Sequence, residues 1–181
     1  MTFFALYCDS GDIVTEEEKR QGRCCFTGHR PVKLLRSEVQ IKAALAQAIA
    51  KALADGKRTF LTGMARGVDI WAAEIVLKVR DADPSVHLIC ALPHPNFEQR
   101  WSRHWQQRYA AILQAADLVK IISSTFSISS YQKRNAWMVD HASLVIAVYS
   151  GVNGGTRKTI AYARQQGVPI DMIVVPDAPH R

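Results

Sequence analysis

No run in this chain approaches the roughly 18 apolar residues of a membrane span, which excludes a transmembrane helix. Nor is a secretory leader expected. Phe3, Phe4, Ala5 and Leu6 form an early apolar run with no basic residue before it, and Asp9 and Asp12 interrupt it at once. Cysteine is scarce. Cys8, Cys24, Cys25 and Cys90 show no metal-ligand spacing, so no metal site is expected, and adjacent Cys24 and Cys25 on a strand would point to opposite faces. A reducing interior fits this usage, and the expected location is cytoplasmic, with no membrane partner. Also absent are the G-x-G-x-x-G fingerprint and the phosphate loop that ends in Gly-Lys-Ser/Thr, which argues against an ordinary NAD enzyme or P-loop ATPase. No repeat, low-complexity tract or linker divides the 181 residues. The expected organisation is a leader at 1–22, without assigned structure, and one domain at 23–181.

What is present is a regular alternation. β-rich runs near 23–27, 58–62, 86–92, 118–122, 143–149 and 169–175 are separated by longer segments of helical period. This is the pattern of an α/β, Rossmann-like, open and mainly parallel sheet of about six strands with helices on both faces. Ser37 caps a helix whose apolar stripe runs through Ile41, Leu45, Ala48, Ile49, Ala52 and Leu53, and Asp55 and Gly56 end it. Further helices are expected near 67–80, 98–116, 131–141 and 155–166, with the serine-rich stretch 123–130 as a loop. The 23 Lys and Arg against 16 Asp and Glu give a net charge of +7, which attracts phosphate-rich partners without choosing among them.

In such a sheet, ligands collect where strands feed into helix N-termini. Three turns at that edge carry glycine beside a cation: Gly28, His29 and Arg30; Gly63, Met64, Arg66, Gly67 and Asp69; and Gly154, Gly155 and Thr156 with Arg157. Each is also what an ordinary helix start requires. Glu74 lies four residues after Ile70, and Asn135 four after Tyr131, on or beside faces that should be buried. Both then need polar partners, from the protein's edge or from a ligand. Phe97, Trp101, Trp105 and Tyr109 recur at four-residue steps, interleaved with Arg100, Arg103, His104 and Arg108. That spacing suits either a surface that stacks single-stranded nucleic acid or a helix face packed into the core. His94, between two prolines at a strand end, could act in acid–base chemistry or be a loop residue.

The order of these motifs, from Cys25-Phe26-Thr27-Gly28-His29-Arg30-Pro31 through Thr62 to Glu74 and Arg134-Asn135 to Asn153-Gly154-Gly155-Thr156, resembles the YpsA-like branch of the SLOG superfamily. The match runs from Arg23 to Val175. The resemblance implies a Rossmann-like fold and a nucleotide-derived ligand, in a superfamily that includes the DNA-processing protein DprA and the LOG phosphoribohydrolases. By position, Gly28, His29 and Arg30 would border the ligand, Gly63, Met64 and Asp69 would form a second wall, Gly154, Gly155 and Thr156 would hold a phosphate, and Arg134 and Asn135 would complete the pocket. The LOG signature carries one more glycine and an acidic residue where Thr159 stands, so the usual catalytic carboxylate is missing and Asp69 and Glu74 are the remaining candidates. The first expectation is binding or sensing of a nucleotide or nucleotide-derived phosphate ligand. The alternatives are N-glycosidic nucleotide hydrolysis and DprA-like binding of single-stranded nucleic acid. Assembly as a homo-oligomer stays open.

Overall fold

The computed structural model describes residues 14–175. Of the leader segment 1–22, residues 1–13 lie outside that range, with Cys8 among them, while Glu16–Gln21 forms a short helix, α1. The elements that follow are β1 (Arg23–Gly28), α2 (Glu38–Ala54), β2 (Thr59–Thr62), α3 (Val68–Ala82), β3 (His87–Leu92), α4 (Arg103–Ala115), β4 (Leu118–Ile121), α5 (Ile128–Asp140), β5 (Leu144–Tyr149), α6 (Gly155–Gln165) and β6 (Ile170–Val174). The six strands form one sheet in the order β4-β3-β2-β1-β5-β6, and every neighbouring pair is parallel.

Alternation along the central strands divides the core in two. Cys24, Phe26, Phe60, Leu88, Ile146 and Val148 pack against α2, α3 and α4. Cys25, Leu61, Ala91, Val145 and Ala147 pack against α5 and α6. Helices therefore cover both faces, and β1 and β5 read as apolar runs because neither side of them meets water. Cys24 and Cys25 fall on opposite faces, and burial pushes both thiols up. Ser37 caps α2 in a reciprocal box with Gln40, each side chain accepting the other's backbone N–H. Among the described residues no helix is long and apolar enough to cross a membrane.

Two boundaries depart from the sequence expectation. The helix expected from residue 98 starts at Arg103. Before it, Asn96 takes a φ of 58° and the chain runs through turns, so Phe97 and Trp101 sit outside the helix that carries Trp105 and Tyr109. The serine-rich stretch expected as a loop gives its last residues to α5, which starts at Ile128 because the Ser127 hydroxyl accepts the backbone N–H of Ser130.

Candidate functional site

The chain runs outward from β1 to the edge strand β4 and then returns to place β5 on β1's other side. The connection after β1 leads to α2 on one face and that after β5 leads to α6 on the other, so the two turns part above the sheet and open a crevice. A cavity of about 310 Å³ lies there. Its first side is the turn after β1: Gly28, His29, Arg30 and Lys33. The backbone N–H of His29 donates to Val148 O at 3.3 Å, and its ring stacks on Tyr149 with centroids 5.3 Å apart, so this turn is tied to β5. Gly28 has a packing reason for being glycine: a β-carbon there would lie 2.5 Å from Val68 Cβ, so its absence lets the first turn of α3 press against β1.

The turn after β2 forms the second side through Ala65, Arg66 and Asp69. Thr62 Oγ1 donates to Asp69 O at 2.9 Å and accepts from Met64 N, while Asp69 Oδ2 accepts from Ala65 N at 3.2 Å. Met64 adopts a φ of 59° and is fully buried, and Gly67 adopts 93° against the ring of Pro31. Gly63, Met64 and Gly67 thus shape the wall from behind and do not line the cavity. A β-carbon at Gly63 would lie 2.6 Å from Arg134 Cζ and 2.8 Å from Asp69 Oδ2, so glycine allows the buried cation and carboxylate to meet at the backbone. Arg134 donates to Gly63 O and, through Nε, to Asn135 Oδ1 at 2.7 Å. Burial drives the Asp69 carboxyl up to about 6 against the opposing pull of Arg134 and the Ala65 N–H.

The third side is the start of α6, with Gly154, Gly155 and Thr156. Neither Gly154 here nor Gly67 at the start of α3 supplies a side-chain cap, so both helix ends keep first-turn N–H groups for another acceptor. A β-carbon at Gly155 would meet nothing within 4 Å. Thr159, where LOG enzymes carry an acidic residue, uses its hydroxyl to donate to Gly155 O at 3.0 Å and to accept from Asn135 Nδ2 at 2.9 Å. It braces the turn and brings no charge. Lys33 Nζ donates to Asn153 O at 3.4 Å, which holds an ammonium over this helix end, and Arg157 donates to Asn153 Oδ1.

Gly28, His29, Arg30, Arg66, Asp69, Arg134, Asn135, Gly154, Gly155 and Thr156 therefore come together from four separate segments of the chain. Glu74 does not join them. Its carboxylate takes two hydrogen bonds from Arg108, at 2.6 and 2.8 Å, and one from Lys42 at 2.7 Å, and Arg108 also reaches Glu38 at 2.8 Å. Burial would raise the Glu74 carboxyl, but these donors outweigh it and hold the group below its ordinary value. The same contacts favour the packing reading of the aromatic series over the stacking one. Trp105 packs on Trp71, Phe97 meets Trp101 and Tyr109 edge-on at 5.1 and 5.5 Å, and Arg108 is spent on carboxylates. Trp105 and Tyr109 pack on the core from α4, and Phe97 and Trp101 join the same cluster from the turns before it.

Tyr131, Met138, Lys33, Phe97 and Trp101 also line the cavity without having been assigned to it from sequence. Tyr131, Arg134, Asn135 and Met138 follow the one-face spacing of a helix, a signal that could have added the two outer members. Trp101 carries the Arg66 guanidinium over its ring at 5.6 Å and so orients it toward the cavity. Among the described residues no group of three or more His, Cys, Asp or Glu side chains converges to hold a metal ion.

A parallel α/β sheet with a glycine-bordered, cation-rimmed cavity at its switch point defines the class as Rossmann-like. The chain belongs to the YspA SLOG family, whose model matches residues 24–177. It is 28% identical to the SPbeta prophage-derived protein YoqJ of Bacillus subtilis, over 73% of this chain and 82% of YoqJ. It is 30% identical to a UPF0398 protein of Halalkalibacterium halodurans, over 77% and 76%. Among solved structures, DNA processing protein A of Helicobacter pylori, described with a unique single-stranded DNA binding mode, superposes with a TM-score of 0.60 at 18% identity, covering 92% of this chain and 68% of that one. DprA of Streptococcus pneumoniae gives 0.61 at 16% identity, and this fold spans 52% of its length. At those identities the likeness is one of fold.

Proposed function

We propose that the switch-point cavity binds the phosphate of a nucleotide or nucleotide-derived ligand. One observation carries the reading: the uncapped start of α6 meets Arg30, Lys33 and Arg66 around a single cavity. Helix N–H groups and cations favour the same dianion, and the net charge of +7 steers such ligands inward. The volume of about 310 Å³ is at the small end of ligand sites, enough for a phosphate and its sugar. Asp69, whose carboxyl burial raises to about 6 inside this cavity, is the one carboxylate of the sequence-derived pair that a hydrolytic reading can use. The test is thermal unfolding against nucleoside mono- and diphosphates, ADP-ribose and ribose 5-phosphate. A ligand at a hundred times its dissociation constant adds about 2.7 kcal/mol, and no shift with any phosphate compound overturns the proposal.

A second reading, single-stranded nucleic acid across the same mouth, is favoured by the description of the Helicobacter pylori protein and by the exposed Arg30 and Lys33 at the rim. Affinity for oligonucleotides would then fall with salt at a log–log slope near −0.7 per phosphate contact. A slope that Arg30→Ala and Lys33→Ala leave unchanged removes this reading.

A further inference from the structure

Three cavities meet at Tyr131. It lines the switch-point cavity, a groove of about 640 Å³ between α5 and α6, and a cleft of about 570 Å³ beyond the end of β3. That last cleft is built around His94, which is buried. The 2.8 Å contact of its Nδ1 with Pro95 O, an atom that can only accept, places a proton on Nδ1, and Nε2 lies 3.4 Å from the Tyr131 hydroxyl. Three rings stand edge-on to this imidazole: Phe126 at 5.2 Å, Tyr131 at 5.6 Å and Phe97 at 6.0 Å, with interplanar angles of 86°, 86° and 76°. Phe126 nonetheless keeps 67% of its surface in water.

We propose that this cleft stacks the nucleobase of the nucleotide whose phosphate occupies the switch-point cavity. The inference rests on the phosphate reading and extends it from an anion to a base-bearing ligand. The two spaces adjoin, with Phe97 and Tyr131 lining both. The smaller cavity takes the phosphate and sugar, and the base continues past Tyr131. An exposed aromatic ring held by a buried histidine offers a fixed face, and a planar heterocycle covers such a face with little loss of side-chain freedom. Asn96, Gln99, Ser124 and Thr125 border the cleft and supply donors and acceptors for the edges of a base. The α5–α6 groove is built differently: it shares Tyr131 and adds Tyr162, but its other lining includes Ile128, alanines and flexible Gln and Lys side chains, and the rings that cross Tyr131 lie on the His94 side.

Calorimetry on the full chain tests the assignment, using the four ribonucleoside 5′-monophosphates, ribose 5-phosphate and a 5′-phosphorylated oligothymidylate. The proteins compared are the wild type, Phe126→Ala, Phe126→Tyr and Ala161→Trp, the last filling the α5–α6 groove from an exposed position. At least one nucleoside monophosphate should bind wild type about tenfold or more tightly than ribose 5-phosphate, the size of one stacked base. That gap should close in Phe126→Ala, return in Phe126→Tyr and persist in Ala161→Trp. Ribose 5-phosphate should bind all four proteins alike. If ribose 5-phosphate binds but the gap is absent in wild type, or survives in Phe126→Ala, the stacking assignment fails and the phosphate reading stands. A gap abolished by Ala161→Trp moves the base to the α5–α6 groove and overturns it as well. If no mononucleotide and no ribose 5-phosphate binds, both readings fall, and binding of the oligonucleotide alone would then put a strand in their place.

Discussion

Replacing Gly155 by valine separates ligand binding from folding. A β-carbon at this position meets no atom within 4 Å, and the backbone φ of Gly155 is not positive, so the fold should accept the side chain. Valine also has a somewhat better helix propensity than glycine, and the change in stability should stay within about 0.5 kcal/mol. A ligand phosphate, by contrast, would meet the isopropyl group where it approaches the N–H groups of α6. Losing one or two hydrogen bonds to a charged group costs about 1.5–3 kcal/mol each, so affinity should drop on the order of a hundredfold. At a concentration one hundred times the wild-type dissociation constant, stabilisation falls from about 2.7 to about 0.4 kcal/mol. For a chain of this size that is a melting shift of about 5–11 °C reduced to about 1–2 °C. The assay is thermal unfolding with and without the strongest ligand of the phosphate panel. A variant with the wild-type melting point and an undiminished shift would place the phosphate away from α6 and refute the reasoning.

Glu74→Gln should destabilise the fold by about 1–3 kcal/mol in urea unfolding, because Arg108 keeps one strong partner while Lys42 and Arg108 lose a charge beside them. Binding at saturation should be untouched, and loss of binding at unchanged stability would return Glu74 to the site. The Asp69 carboxyl, raised from 3.8 to about 6 by burial, is protonated in the folded chain over a range where the unfolded chain has released its proton. The folded state therefore binds more protons between those values, so this group's contribution to stability falls as pH rises from about 4 to 6 and is level above that. Asp69→Asn should accordingly gain on wild type across that window, by up to about 3 kcal/mol, in unfolding followed at several pH values, and a constant difference would show that the carboxyl is not raised. Gly28→Ala should cost about 1–3 kcal/mol by overpacking against Val68, and Val68→Ala in the same chain should recover part of that loss in urea unfolding. No recovery would mean that close packing is not why glycine stands there.

Strand positions were legible because β1 and β5 are buried on both faces and must be apolar throughout, whatever their neighbours. The start of α2 was legible because Ser37 and Gln40 satisfy each other's backbone within one turn. The glycine turns could be read for the same reason: backbone that turns sharply at a strand end leaves a mark in residue type. What the sequence by itself determined was local, namely which segments are strands and helices, and which turns lie at the carboxyl edge of the sheet. The strand order, with β5 returning beside β1 to open the crevice, came from pairings between residues more than a hundred positions apart, such as Cys24 with Leu144. Tertiary structure also decided the fate of each polar or aromatic residue whose spacing allowed two readings. Glu74 went to Arg108 and Lys42, the Trp105 stripe went to the core, and Tyr131 came to border three cavities. Helical periodicity shows which way a side chain points. Whether a cation, a ring or open space lies there depends on a segment distant in the chain, and only packing brings that segment into place.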